Sequence, residues 1–247
     1  DLHLSIRRQR QMCIRDSRSV SSKSGSADVL EALNIPLDLD AARAVRQYTA
    51  SNFTFLFAPA YNPAVAHVQP VRKALGISTI FNTLGPLLSP SHPALQIMGI
   101  AKPDQGQLIA EVFRELGRER ALVIHGAGTD EIAIHGTTLV WELKDGEIST
   151  YELTPEDLGI TRHDLAELAG GDGAANAQAL RAVFAGHSAP AHYDAITANA
   201  GAMFYLNGTT QTIAAGVTHA KELIDSGHVD RWLAIHEAAN YAQGEES

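Results

Sequence analysis

Cys13 is the only cysteine in 247 residues. No intramolecular disulfide and no thiolate metal cluster can form, which suits a reducing compartment. Eleven histidines are present, yet none falls in HxH, HExxH or another zinc spacing. GxSxG, Walker A and GxGxxG are missing, so the commonest hydrolase, nucleotide and dinucleotide signatures give no lead. No apolar run approaches the roughly 18 residues of a spanning helix, and no signal-peptide pattern or internal repeat is evident. The cytoplasm is therefore the expected location, with no membrane partner. Positive charge is scarce as well: 19 Lys+Arg face 28 Asp+Glu, a net charge of −9. That balance argues against a generic nucleic-acid or anionic-membrane binder. It leaves an anionic substrate open, because a site needs only a few local cations or metals. The rest is ordinary for a globular chain, 45% hydrophobic and 19% charged. The length suits one large α/β domain, with or without a small appendage.

Residues 1–17 differ in character from everything after them. They hold four of the Lys+Arg and two of the Asp+Glu, leaving 15 against 26, or −11, for the remainder. A basic amphipathic arm, a targeting peptide, or foreign sequence joined to a truncated domain would each account for them. Small polar residues and Gly25 then lead into a helical pattern with Val29, Leu30 and Leu33 on one face. Ser26 or Asp28 can N-cap this helix, and Asp28 and Glu31 have the spacing of a capping box. A Ser/Gly loop opening a helix also suits a phosphate, through free N–H groups and the positive end of the dipole. A well-capped helix without a ligand fits the same residues.

Residues 39–48 read as a helix and 53–58 as a buried strand. Prolines break residues 59–75 into short helical pieces. Within them Arg72 stands among Val68, Val71 and Leu75 at helical spacing, able either to snorkel outward or to present its fork to a carboxylate. Residues 78–81 read as a strand edge, and Gly85-Pro86 as a turn among apolar side chains.

The pattern is clearest over residues 95–152. A buried strand at 95–100 precedes an amphipathic helix at 107–116, with Leu108, Ile109, Val112, Phe113 and Leu116 inward. The apolar run 121–124 follows as a second strand. Strand, helix and strand in this order form a crossover unit and argue for a parallel sheet. The second strand breaks into His125-Gly126-Ala127-Gly128-Thr129, then Asp130 and Glu131. Ligands of open parallel sheets bind at that strand end, and Mg2+ there is held by one or two carboxylates plus substrate phosphates. A solvated turn is the alternative. Two alternating runs flank Asp145-Gly146 between 138 and 152, a strong hairpin signal. Residues 154–157 look like a short capped helix. Helices are expected at 176–185, 191–206, 210–225 and 228–241. Asp194 and Asn199 are minor site candidates, and His125 and His67 read as satisfied polar residues or pocket walls.

In this order, the motifs at 18–33, 55–59, 61–72, 79–87 and 125–131, the hairpin and the C-terminal helices resemble the anthranilate phosphoribosyltransferase family over about residues 18–247. The resemblance implies an α/β fold. It has a central, mainly parallel sheet flanked by helices, as in the nucleoside phosphorylase and phosphoribosyltransferase C-terminal domain, and residues 60–88 form a helical segment packing with a small helical domain. It implies transfer of phosphoribose from phosphoribosyl pyrophosphate (PRPP) to the amine of anthranilate with Mg2+, in tryptophan biosynthesis, by a homodimer. By the same resemblance Ser26 contacts PRPP, Asp130 and Glu131 hold Mg2+, Arg72 binds the anthranilate carboxylate, and Gly85 and Pro86 line its pocket. Lys23 lies in the PRPP loop. The family's GTGGD, NIST-like and KHGN segments have no counterpart here, and Ser17 stands where the Asn of KHGN would be. Asn62 replaces a usual His. The expectation is therefore a foreign or disordered stretch over residues 1–17 joined to an N-terminally truncated, inactive domain, its dimer contacts largely missing. A pyrimidine nucleoside phosphorylase and a non-catalytic nucleic-acid-binding relative are the alternatives.

Overall fold

The computed structural model describes residues 24–37, 40–56, 61, 87 and 91–235, and the backbone alone of 13–16, 57 and 236–238. In chain order these form β1 (Cys13–Asp16), α1 (Ser26–Ala32), α2 (Ala41–Ser51), β2 (Thr54–Phe57), β3 (Leu95–Gly99), α3 (Gly106–Glu115), β4 (Arg120–Gly126), β5 (Thr138–Lys144), β6 (Glu147–Leu153), α4 (Gly173–Phe184), α5 (Pro190–Leu206), α6 (Ile213–Asp225) and α7 (His228–Ala238). They divide into two compact units. One takes in residues 93–169 and 182–228. The other takes in the described residues between 13 and 92, with 170–181 and 229–238.

The first unit is built on a four-stranded sheet in the order β3-β4-β5-β6. β3 and β4 are parallel, joined by the crossover helix α3 as the periodicity predicts. β5 and β6 then add antiparallel pairs through a tight hairpin. Its two central residues, Asp145 and Gly146, take φ of 53° and 80°, the left-handed pair that matches strand twist. Parallel pairing thus accounts for β3–β4 and, in the second unit, β1–β2.

β4 is buried on both faces, which is why 121–124 reads as an unbroken apolar run. Leu122 and Ile124 join Val140 in a core with Ala198, Ala202, Ile213 and Val217 of α5 and α6. Across the sheet, Trp141 stands directly opposite Val123 and packs on Gly106, where any side chain would collide with the indole. On α3 the buried stripe is Gly106, Ile109, Ala110 and Phe113. Leu108 and Leu116, expected inward, are 60% and 46% exposed. The stripe centres on 106, 109, 110 and 113 because glycine and alanine let the helix approach Trp141, and Leu108 and Leu116 then fall outside it. α5 and α6 touch through Gly201 and Gly216, and a Cβ on Gly216 would strike the Gly201 carbonyl.

A second interior feature is polar. Glu142, 5% exposed, takes Arg120 Nη2 at 3.2 Å, the Tyr205 hydroxyl at 2.8 Å and the Tyr151 hydroxyl at 3.0 Å. Burial, and then the Glu142 carboxylate, push both phenols above their ordinary value. This network ties the end of α5 to three strands.

In the second unit β1 pairs parallel with β2, Cys13 opposite Thr54 and Asp16 opposite Phe57. Part of the segment set apart in the sequence at 1–17 therefore lies in a sheet. α2 runs from Ala41 to Ser51, behind Asp40, whose carboxylate accepts the Arg43 N–H at 2.8 Å. It closes on Asn52 at φ 56°. Thr54 donates to Gln47 at 2.9 Å inside the α2–β2 contact, so the buried amide of Gln47 is partnered. Phe53 meets Trp232 of α7 edge-on with centroids 5.7 Å apart. The 60–88 segment, with the expected strand at 78–81, lies outside the described residues apart from Tyr61 and Leu87.

Candidate functional site

β4 ends at Gly126, and the chain reverses at once. Ala127 and Gly128 both have positive φ, 48° and 94°, and Gly126 and Thr129 exchange backbone hydrogen bonds of 2.9 Å each way. The Thr129 hydroxyl donates a third bond to the Gly126 carbonyl at 2.8 Å. This two-residue turn carries the chain back over its own strand end, so Asp130 and Glu131 come to stand, both exposed, at the C-terminal edge of β3 and β4.

Two glycines make that return possible. A Cβ on Gly99, the last residue of β3, would coincide with the Asp130 carbonyl. One on Gly126 would meet the Glu131 carbonyl, with Ala133 N at 2.7 Å. The carboxylate pair thus rides on backbone pressed directly against the ends of both strands. Immediately afterwards Ile132, Ala133 and Ile134 are buried, at 2%, 3% and 0% exposure. Ile132 and Ile134 enter the α5–α6 core, and each such burial contributes about 1.5–3 kcal/mol toward holding the loop down. The amides that go under with them are satisfied: Ile132 N–H donates to Asn199 Oδ1 at 3.0 Å and Ala133 N–H to Thr138 Oγ1 at 2.9 Å.

His125 is the satisfied polar residue anticipated for it. Its Nδ1 lies 2.9 Å from the Ile100 carbonyl, which makes it the protonated nitrogen, and Nε2 then faces the Gly128 N–H at 3.4 Å. Of the two minor candidates, Asn199 reaches the loop and Asp194 does not. Asp194 takes His163 Nε2 at 3.0 Å and Lys221 Nζ at 2.9 Å. The Asp194 hydrogen bond, helped by Glu167 against the cost of burial, raises the His163 pKa.

Ser26 lies in the second unit, at the first position of α1. The N-cap is Gly25, neither Ser26 nor Asp28, and the reciprocal bond runs from Gly25 N–H to Asp28 Oδ2 at 2.8 Å, with no side-chain cap in return. The capping spacing is therefore 25–28 where the sequence suggested 28–31. Glycine wins because the cap residue needs only an extended backbone, at φ −105° and ψ 172°. Lys23, Arg72, Gly85 and Pro86 lie outside the described residues. Among the described residues no cluster of three or more His, Cys, Asp or Glu could enclose a metal, and Asp130 makes no ion pair. The arrangement at the β4 end is an adjacent pair of exposed carboxylates on a fixed seat.

Residues 10–229 match the glycosyl transferase family a/b domain. Anthranilate phosphoribosyltransferase from Corynebacterium aurimucosum is 74% identical over 235 residues, covering 95% of this chain and 68% of the relative. Among solved structures, anthranilate phosphoribosyltransferase from Thermus thermophilus superimposes with a TM-score of 0.84 at 37% identity, over 92% of this chain and 67% of that one. The Saccharomyces cerevisiae enzyme in complex with PRPP and Mg gives 0.84 at 27% identity, over 96% and 68%. The same yeast enzyme in complex with 4-fluoroanthranilate gives 0.80 at 27%, over 96% and 67%. The chain spans about two thirds of the length of these relatives.

Proposed function

The chain belongs to the anthranilate phosphoribosyltransferases of the glycosyl transferase a/b family, and from that membership we propose that it serves transfer of phosphoribose from PRPP to the amine of anthranilate, with release of pyrophosphate. The observation that carries this reading is the Asp130–Glu131 pair, exposed side by side at the C-terminal end of β4 on a glycine seat. Mg2+ keeps several water or phosphate ligands and takes one or two carboxylates from protein. Two adjacent carboxylates at a strand end match that number. Asp130 and Glu131 would hold the ion, and bound Mg2+ would neutralise the charge of the departing pyrophosphate.

The remaining roles follow the family. Ser26, at the start of α1, would contact PRPP beside Lys23, Arg72 would take the anthranilate carboxylate, and Gly85 and Pro86 would line that pocket. In the reaction the C1–O bond to pyrophosphate breaks as the N–C1 bond forms, and the amine releases a proton to solvent. The aryl amine attacks a cation-like carbon and needs no strong base. Holding the two substrates in line supplies much of the acceleration, which accounts for a site made of positioning groups without a nucleophile–base dyad.

The test has two arms. Mn2+ with pyrophosphate, followed by electron paramagnetic resonance, should bind the chain, and D130N/E131Q should abolish that binding. Any loss of anthranilate fluorescence should require both PRPP and Mg2+ and be absent in the same variant. Phosphorolysis of thymidine or uridine in place of anthranilate consumption would replace this reading with a pyrimidine nucleoside phosphorylase.

A further inference from the structure

The carboxylate pair is held from below by Gly99 and Gly126, which only permit contact. The side chain that grips the backbone next to the pair comes from elsewhere in the sequence. Asn199, in the middle of α5, accepts the N–H of Ile132 at 3.0 Å, and Ile132 directly follows Glu131. Its other amide atom is committed too, since Nδ2 donates to the Ala195 carbonyl at 3.0 Å, one turn back on the same helix. Each end of the amide has one partner of the opposite kind. A flipped amide would set donor against donor and acceptor against acceptor, so the orientation of Asn199 is fixed by its surroundings.

We propose that Asn199 is a positioning residue for the metal–pyrophosphate site, fixing the peptide plane after Glu131 so that the two carboxylates keep one spacing. The proposal rests on the reading of Asp130 and Glu131 given above. Asparagine is a poor residue for a helix interior, because it competes for backbone hydrogen bonds. Its nearest neighbours along α5, Ala198, Ala200, Gly201 and Ala202, are alanine and glycine. Ile132 is buried, so without Asn199 its amide loses a part-buried hydrogen bond and must find another partner. The cheapest relief is rotation of the Glu131–Ile132 peptide. The Glu131 carbonyl lies where a Cβ on Gly126 would stand, close over the strand end, so rotation of that peptide moves Glu131 as well. Mg2+ demands near-ideal octahedral geometry and short bonds. Misplacement of about 1 Å at such a site costs on the order of 100-fold.

The experiment measures Mn2+·pyrophosphate affinity by electron paramagnetic resonance on the full chain and on three variants, with thermal unfolding recorded for each. Asn199→Ala suits the helix and removes only the grip, and it should weaken binding at least tenfold. Asn199→Asp keeps an acceptor for the Ile132 N–H but loses the donor to the Ala195 carbonyl, and should bind more tightly than Asn199→Ala. Tyr205→Phe, on the same helix but bonded to Glu142, should lower the melting temperature about as much as Asn199→Ala and leave the affinity unchanged. Equal affinity in Asn199→Ala and the unsubstituted chain overturns this inference alone. So does a loss in Tyr205→Phe as large as that in Asn199→Ala, because stability and not position would then be setting the affinity. Failure of the unsubstituted chain to bind overturns the assignment of Asp130 and Glu131 and this inference with it.

Discussion

Gly126→Ala tests whether the strand-end seat is as tight as it looks. The added methyl would meet the Glu131 carbonyl, then Ala133 N at 2.7 Å and Ala133 Cβ at 2.9 Å. Two of these three neighbours are backbone, and the third is a methyl on the same stretch, so no flexible side-chain end can swing away. That stretch cannot lift freely either, since Ile132 and Ile134 are buried in the core and the Ile132 and Ala133 amides are bonded to Asn199 and Thr138. Overpacking of this kind costs about 1–3 kcal/mol. At roughly 2–4 °C per kcal/mol for a chain of this size, melting should fall by about 2–12 °C. Circular dichroism at 222 nm gives the melting shift, and Mn2+·pyrophosphate affinity should drop with it, because the atom struck first belongs to Glu131. Gly128→Ala is the comparison: nothing lies within 4 Å of its added methyl, and only the φ of 94° resists. It should cost about 1–2 kcal/mol from backbone strain. A Gly126→Ala chain that melts within a degree of the unsubstituted one and binds Mn2+·pyrophosphate equally well would refute the seat.

Three further outcomes follow from the same geometry. Ala127 is a non-glycine residue at φ 48°, so Ala127→Gly should stabilise by about 0–1.5 kcal/mol, strain relief of about 1–2 kcal/mol being offset by the entropy of glycine, about 0.5–1 kcal/mol. A destabilisation beyond about 1 kcal/mol in denaturant titration would contradict it. Glu142→Ala strips Arg120 of its carboxylate partner and two tyrosines of their acceptor. The loss should be about 3 kcal/mol, near the low end for a broken buried pair, because Arg120 keeps a fifth of its side chain in water. Replacement without measurable loss would show the network to be ornamental. His163 has a raised pKa, chiefly from its bond to Asp194, with Glu167 beside it and Lys221 competing for the same carboxylate. Its contribution to stability should be complete below the ordinary imidazole value near 6.5 and fade as pH rises through the raised one. His163→Gln should flatten that part of the melting-temperature profile, and a profile unchanged by the substitution would sink the assignment.

The elements that carry the site were readable where the information is local. The Asp145-Gly146 turn announces its own conformation, as two left-handed residues between alternating runs. β4 announces itself as an apolar stretch because both faces are covered, and a carboxylate pair just past such a stretch is a strand-end pair by chain order alone. Local signals failed where a neighbour decides. Leu108 and Leu116 have the spacing of an inward face, yet Gly106 turns α3 so that Trp141 meets the small residues and the two leucines stay in water. Ser26 and Asp28 look like caps, yet the residue at the helix edge is the one whose backbone is extended, and Gly25 qualifies without a side chain.

The seat beneath Asp130 and Glu131 belongs to this second kind. Gly99 closes a strand 31 residues before Asp130, and Asn199 lies 67 residues beyond Ile132. No periodicity links these positions to the pair, because what joins them is sheet register and the packing of α5 on β4. One sequence cue did exist: glycine at the last position of two successive strands is poor strand chemistry unless another backbone must come close. Taken as a requirement and not as punctuation, Gly99 and Gly126 state that something crosses the strand ends. The chain just past Gly126 offers only the stretch bearing the two carboxylates to do it. The strand-end position of the acids was therefore legible, while the seat beneath them was written in residues that carry no functional group, and in one asparagine that only the folded chain brings near.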